Sequence, residues 1–323
     1  MQLTDSIVQF GYTANGSNNI DLNPHFISPV DFSQAPITGG NYRLRPDSPA
    51  INFAEISLYP NTWTKWSASA LFSTGAINQA IYNEWIFPAL GLDADGTARL
   101  KGTHIDLGAW EEHGAKTRNM ELFVRESGIR GGDSWEDASS DIQRLIDAGF
   151  KALQRGAEKA VIHVAAGTYY PLYRPNTDAT TNYATVYGNR DSTFLLRPGI
   201  ELYGGYVAEG EPLNETIRKA RFNQYGVPLS EDYRVILTGD FFGDDEGNAI
   251  GGFTGMTENA HHVILAVDIP DDGKTIFDGF TVTGGNANVV SGNLTIATSS
   301  GNQGISRSIG GGIRILRRGM GLL

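Results

Sequence analysis

The sequence predicts an all-β protein that carries a single helix. Three observations lead there. The chain holds 40 Gly among 323 residues, and these cluster with Asn, Asp, Ser and Thr between short apolar runs. Gly and Asn tolerate the positive φ that tight turns demand, so this is the punctuation of many short strands. Most of the apolar runs are followed directly by Gly or Asp. Only one stretch has apolar residues at helical spacing.

Taken in chain order, Ser6–Phe10 reads as a strand. Asn23-Pro24, Ser28-Pro29, Arg45-Pro46 and Ser48-Pro49 then break the chain repeatedly. Proline has no N–H to give to a sheet ladder, so these pairs mark loops or sheet edges. Residues 66–90, richer in Ala, Ile and aromatics, suit a short helix or an insertion. Residues 114–121 are polar and patternless and predict a linker between residues 1–113 and 122–323. Leu122–Arg125 reads as a strand. The helix is predicted near Ser139 to Ala157. Ser139 or Ser140 can cap it, Asp141 suits its first turn, and Ile142, Leu145, Ile146, Phe150 and Leu153 line one face. Gly156 is its predicted stop. Strands follow at Ala160–Val164, Thr193–Leu196, Ile200–Tyr203, Arg234–Thr238, His262–Val267, Thr275–Phe277 and Phe280–Thr283. Their spacing suits strands that turn corners at Gly or Asn rather than hairpins with tight Asn-Gly turns.

Composition narrows the function. The formal net charge is −11, with 5 basic and 11 acidic residues in 1–113 and 20 basic and 25 acidic in the remainder. Acidity spread over both parts argues against a nucleic-acid partner. With no cysteine, disulfides and thiolate metal sites are excluded. No run approaches the ~18 apolar residues of a membrane span. The first residues, Met1-Gln-Leu-Thr-Asp-Ser6, have neither the basic nor the apolar region of a signal peptide.

Several motifs occur in a telling order: Leu122-Phe-Val-Arg125, Gly131-Gly-Asp-Ser-Trp135, the helix, and Val161-Ile-His-Val-Ala-Ala-Gly-Thr-Tyr-Tyr-Pro171. Phe194-Leu-Leu-Arg-Pro-Gly-Ile-Glu-Leu-Tyr-Gly-Gly-Tyr206, Val235-Ile-Leu-Thr-Gly-Asp240, His261-His-Val-Ile264 and Phe277-Asp-Gly-Phe-Thr-Val-Thr-Gly-Gly-Asn286 follow. In this order the chain resembles bacterial right-handed parallel β-helix proteins of the pectate-lyase-like type. The resemblance implies that residues 122–323 hold an N-terminal capping helix and the first coils of a solenoid. Asn19-Ile-Asp-Leu-Asn-Pro-His-Phe26 through Gly108-Ala-Trp-Glu111 resembles the closing part of a similar domain, so 1–113 is expected to be the C-terminal part of a parallel β-helix. It further implies a cell-surface or secreted location and contact with polysaccharide or surface glycans. The fold hosts lyases, hydrolases, adhesins and passive stalks alike, so the function stays open on this ground.

The residues that could carry chemistry are few. Asp240, Asp244 and Asp245, in the loop that runs on to Glu246 and Asn248, are the best metal candidates, and clustered carboxylates suit Ca²⁺. The spacing is not that of an EF-hand, and the competing reading is a solvated turn. Under that reading Ca²⁺ is expected to matter little to stability. Asp93-Ala-Asp95-Gly96 is similar and fits a terminal loop. A lyase would need a base beside the acidic loop; Arg234 and Arg314 are the basic residues near the coils. A hydrolase would need two carboxylates flanking a cleft; Asp240 and Asp278 fall at strand ends. His261 and His262 are adjacent and would point to opposite faces of a strand. His163 shares a strand face with Val161. Trp63, Trp66, Trp110 and Trp135 suit either sugar stacking or plugging of loops. Gly204-Gly205 and Gly284-Gly285 open no helix and read as coil corners. Arg314-Ile-Leu-Arg-Arg-Gly-Met-Gly-Leu-Leu323 departs from the pattern and reads as a truncated end or a basic docking tail.

The leading expectation is a non-catalytic piece of a cell-surface or secreted β-helix protein, with no catalytic residue and no cofactor other than a possible calcium. A polysaccharide lyase is the alternative. Open solenoid ends predict self-association, because unpaired strand edges recruit further strands.

Overall fold

The structure is a computed structural model. It describes residues 23–24, 26–34, 39–44, 48, 50–51, 54–55, 93–94, 96, 104–106, 108, 119–129, 131–154, 157–175, 181–182, 188–247, 252–289, 292–298 and 301–317. The chain divides into two compact units, 1–118 with 155–157, and 119–154 with 158–323.

In the first unit, β1 (Phe26–Ser28) pairs with β2 (Asn41–Leu44), and β3 (Ala54–Glu55) pairs with β4 (His104–Ile105). Both described pairs are antiparallel. Most of residues 1–113 lie outside the described residues, and these two short pairs leave the parallel β-helix expected there untested. The physical reason for the antiparallel pairing is plain for β1 and β2. Strands so close in sequence are joined by a reversal, here ending at Gly40 with φ +98°, whereas a parallel pair needs a long crossover. Phe26 packs edge-on against Tyr42 at 5.4 Å across this hairpin.

The second unit is built differently. It opens with β5 (Asn119–Val124), which starts three residues before the expected strand and takes up the last part of the expected linker. The helix α1 (Ile142–Gln154) follows, then β6 (Lys159–Ala165) and β7 (Gly167–Tyr169). A small pair, β8 (Arg174–Pro175) and β9 (Thr181–Asn182), precedes β10 (Phe194–Leu196) and β11 (Ile200–Tyr206). Next come the short helix α2 (Glu215–Lys219) and β12 (Val235–Thr238). A second pair, β13 (Glu246–Gly247) and β14 (Phe253–Thr254), leads to β15 (Ile264–Ile269). The chain continues through β16 (Ile276–Asp278) and β17 (Phe280–Thr283) to a third pair, β18 (Asn293–Thr298) and β19 (Gly301–Ser306). It reaches β20 (Ile313–Arg317) last.

Three parallel sheets organise these strands, in the orders β5-β6-β11-β16, β7-β12-β17 and β10-β15-β20. From β6 onward the chain visits first, second and third sheet in turn, three times over. The three antiparallel pairs, β8-β9, β13-β14 and β18-β19, all fall between a second-sheet strand and a third-sheet strand. Each pass therefore makes its excursion at the same connection.

Alternation along the strands builds the core. Leu122, Ile162 and Leu202 are in register across the first sheet, Val235 and Leu237 occupy the second, and Phe194 and Ile264 the third. All are buried. At several turns glycines of successive passes meet so closely that a Cβ on Gly204 would strike the backbone of Gly279, and one on Gly285 that of Gly311. Both corners require glycine for space, and Gly279, with φ +86°, requires it for conformation as well.

The helix α1 packs on β5, β6, β10 and β11 and buries Ile142, Leu145 and Ile146. It begins later than expected. Asp141 is its N-cap, with Oδ1 accepting from the Arg144 backbone N–H at 3.0 Å, while Ser139 Oγ accepts from Asp141 N–H. A carboxylate at that position can satisfy a first-turn donor and meet the positive end of the helix dipole. On the side toward the third sheet, the Gln143 amide takes the free edge of β10. Leu195 N–H donates to Gln143 Oε1 at 2.6 Å and Gln143 Nε2 donates to Leu195 C=O at 3.2 Å. One side-chain amide thus does what the backbone of a preceding strand would do.

Candidate metal centre

The acidic loop leaves the end of β12 and runs to the β13-β14 pair. Asp240, Asp244 and Asp245 each offer an oxygen within 4.8 Å of the others. The local backbone explains this convergence. Asp240 Oδ1 accepts from Gly243 N–H at 2.6 Å and from Asp244 N–H at 3.4 Å, and its Oδ2 accepts from Asp245 N–H at 3.4 Å. The loop is wrapped around the first carboxylate, which draws the next two beside it.

Two further residues arrive from the far end of the excursion, just before β15. The Asn259 side chain is fully buried, and its Nδ2 donates to Asp245 Oδ2 at 2.8 Å. Glu258 lies beside the Asp240 and Asp244 carboxylates. Burial, then the Asp244 and Asp240 charges, holds the Glu258 carboxyl above the usual range. Asp245 Oδ1, Glu258 Oε1 and Asn259 Oδ1 are each shielded from solvent and without a hydrogen-bond partner. Sequence reasoning found the three aspartates and missed Glu258 and Asn259, which lie on the other side of an intervening strand pair. The only signal was an acid–amide pair at a turn. Asn248 lies outside the described residues.

Behind this cluster stands Arg190. Its Nε donates to the Asn259 backbone C=O at 2.7 Å, and its Nη2 donates to Asn286 C=O and Asn288 Oδ1, both at 2.8 Å. It ties three successive turns together. Arg307 does similar work through a bidentate pair with Asp191 at 2.6 and 2.8 Å.

The other candidates are occupied by the fold. Arg234 pairs with Glu231 at 2.8 Å, and Arg314 lies in β20 opposite Leu265. Asp278 accepts from Arg218 at 2.5 Å, while Asp240 belongs to the acidic cluster. Arg218 is 1% exposed and also binds Glu215 and the Gly204 C=O, with its guanidinium over the Tyr203 ring. The Glu215 and Asp278 carboxylates outweigh the burial and hold it fully protonated. His262 Nδ1 lies 2.9 Å from Gly310 O and His261 Nδ1 lies 3.4 Å from Asn286 O. Burial lowers the pKa of both. His163 Nδ1 meets Tyr206 Oη at 2.9 Å inside a stack with Phe123, and burial lowers its pKa to about 4. Trp135 is half-buried, packs on Phe123 and Tyr206 and donates to Glu211 C=O at 2.6 Å, so it serves to hold a loop. Asp93 is buried in a turn closed by Gly96 N–H to Asp93 C=O. Asp95, Trp63, Trp66 and Trp110 lie outside the described residues.

No protein-family model, no curated protein and no solved structure matches the chain. The all-β class, with stacked parallel sheets in the second unit, is the level at which the chain is placed.

Proposed function

We propose that this chain is a non-catalytic piece of a bacterial cell-surface or secreted right-handed parallel β-helix protein, acting as stalk, adhesin or glycan-contacting surface. The observation that supports this most is the repeated visiting of three parallel sheets in one order, with the excursions stacked at one connection. A solenoid of this kind buries its core only by stacking neighbouring passes. The described arginines at the turns are spent on bracing: Arg190, Arg218, Arg221, Arg234 and Arg307 all bond to turns or to carboxylates. Glycan contact would then use the outer faces and excursions, outside the cell, and the last pass would present edges for self-association.

The competing reading, a polysaccharide lyase, draws on Arg190, the basic residue beside the acidic cluster. Its bonds to Asn259, Asn286 and Asn288 suit a brace better than a proton acceptor. A glycan array combined with a uronate-polymer cleavage assay separates the two. The scaffold reading expects no unsaturated product from any polymer. Product formation that is lost in Arg190→Ala would replace it with the lyase.

A further inference from the structure

We propose that Glu258 and Asn259 complete a structural calcium site with Asp240, Asp244 and Asp245. The acidic cluster alone would not require an ion. The fully buried Asn259 amide does point to one. Its Nδ2 is fixed on Asp245, and its Oδ1, on the same small group, has no donor. Asp245 Oδ1 and Glu258 Oε1 are equally shielded and unpartnered. Buried oxygens without donors are rare, because each forfeits its bond to water. These three oxygens lie near the Asp240 and Asp244 carboxylates, and Arg190 behind them donates to Asn259 C=O, Asn286 C=O and Asn288 Oδ1 rather than to any of these acids. Among the described residues no Lys or Arg makes an ion pair with any of these acids.

The donor set selects the cation. It contains oxygen only, which disfavours zinc and copper. Its aspartate oxygens lie within 4.8 Å of one another, and two oxygens opposite each other across Ca²⁺ are about 5 Å apart. Mg²⁺ demands a tighter octahedron at about 2.0–2.1 Å and keeps several waters. The ligands come from the two ends of the excursion, Asp240–Asp245 after β12 and Glu258–Asn259 before β15. One ion therefore staples the loop that carries β13 and β14 to the stacked sheets. The site does not depend on the scaffold role: it can fail with that role intact, and the reverse.

The test uses the full chain stripped with EGTA, titrated with CaCl₂ and separately with MgCl₂, and read by calorimetry and thermal melting. We expect one Ca²⁺ per chain and a saturable rise of roughly 3–6 °C in the melting temperature, with less than about a third of that rise in equal MgCl₂. Glu258→Gln should weaken calcium binding at least about tenfold. Asp244→Asn, at an exposed ligand whose loss leaves the core untouched, should do the same and carries the test if Glu258→Gln does not fold. Asp232→Asn, an exposed acid elsewhere, should bind as the parent does. Absence of a calcium-dependent rise in the parent, an equal response to Mg²⁺, or unchanged calcium affinity in the folded ligand variants would overturn the proposal.

Discussion

The two ends of the parallel stack in the second unit are finished in opposite ways. At one end α1 lies over β5, β6, β10 and β11, with Ile142, Leu145 and Ile146 buried, and Gln143 satisfies the edge of β10. At the other end β16, β17 and β20 are the last described strands of their sheets. The same strand positions make the contrast quantitative. Phe194, Ile264 and Ile313 are in register across the third sheet and are 4%, 2% and 43% exposed; Leu196, Ala266 and Ile315 are 7%, 3% and 59% exposed. A residue type and position that are core in one pass become surface in the last. Burial here is supplied by the neighbouring pass, as stacked-repeat physics requires.

The largest break in this comparison should come from the capped end. Ile146→Ala opens a cavity between α1 and the sheets and should cost about 2–5 kcal/mol in denaturant unfolding, whereas Ile315→Ala should cost less than about 1 kcal/mol. Equal costs would erase the distinction between the ends.

Acid should act on the capped side as well. His163 is neutral in the fold with its pKa lowered to about 4, chiefly by burial and then by Arg218. The unfolded chain binds that proton near pH 6.5, so between pH 6.5 and 4 the unfolded state takes up the proton and the fold does not. Stability present above pH 6.5 is then lost as pH falls, by about 3 kcal/mol from this group. Unfolding free energies of His163→Phe, measured across that window, should be flatter by a comparable amount. A slope identical to the parent's would show that His163 is not buried as described.

Gln143→Leu preserves helix and volume but strands the Leu195 N–H and C=O, and should cost about 1–3 kcal/mol. A neutral result would mean that water reaches that edge. Smallest of all in stability, Ile313→Lys with Ile315→Lys should shift unfolding by no more than about 0.5 kcal/mol. The pair should nonetheless suppress concentration-dependent association in sedimentation, since charge on an edge strand discourages further pairing.

Much of the second unit was legible in the chain. The strand at 200–203 was readable because Ile200 and Leu202 alternate with Glu201 and Tyr203; it runs on through Gly204-Gly205, which read as a corner, to Tyr206. The helix was readable from Ile142, Leu145 and Ile146, although its cap moved from the serines to Asp141, whose carboxylate reaches the Arg144 N–H. The helix α2 was missed because five residues cannot display a 3.6-residue period; Asn214 capping Ile217 N–H at 3.1 Å was its one local signal. The pair β18-β19 was missed for another reason. Its buried Ile296 and Ile305 look like coil residues in sequence, and only the fold shows them packed on Leu195, Leu265 and Val267. The acidic cluster was half legible: the closely spaced aspartates stand out, while Glu258 and Asn259 come near them only because the excursion returns to its starting point.

Residue-resolved amide hydrogen exchange on the full chain tests the capped-and-open account most directly. The account predicts slowest exchange in β6, β11 and at the Leu195 amide, with protection falling strand by strand through β15 to β16, β17 and β20. It also predicts that Gln143→Leu releases the Leu195 amide selectively. Uniform protection along the stack, or slower exchange at β20 than at β10, would contradict it.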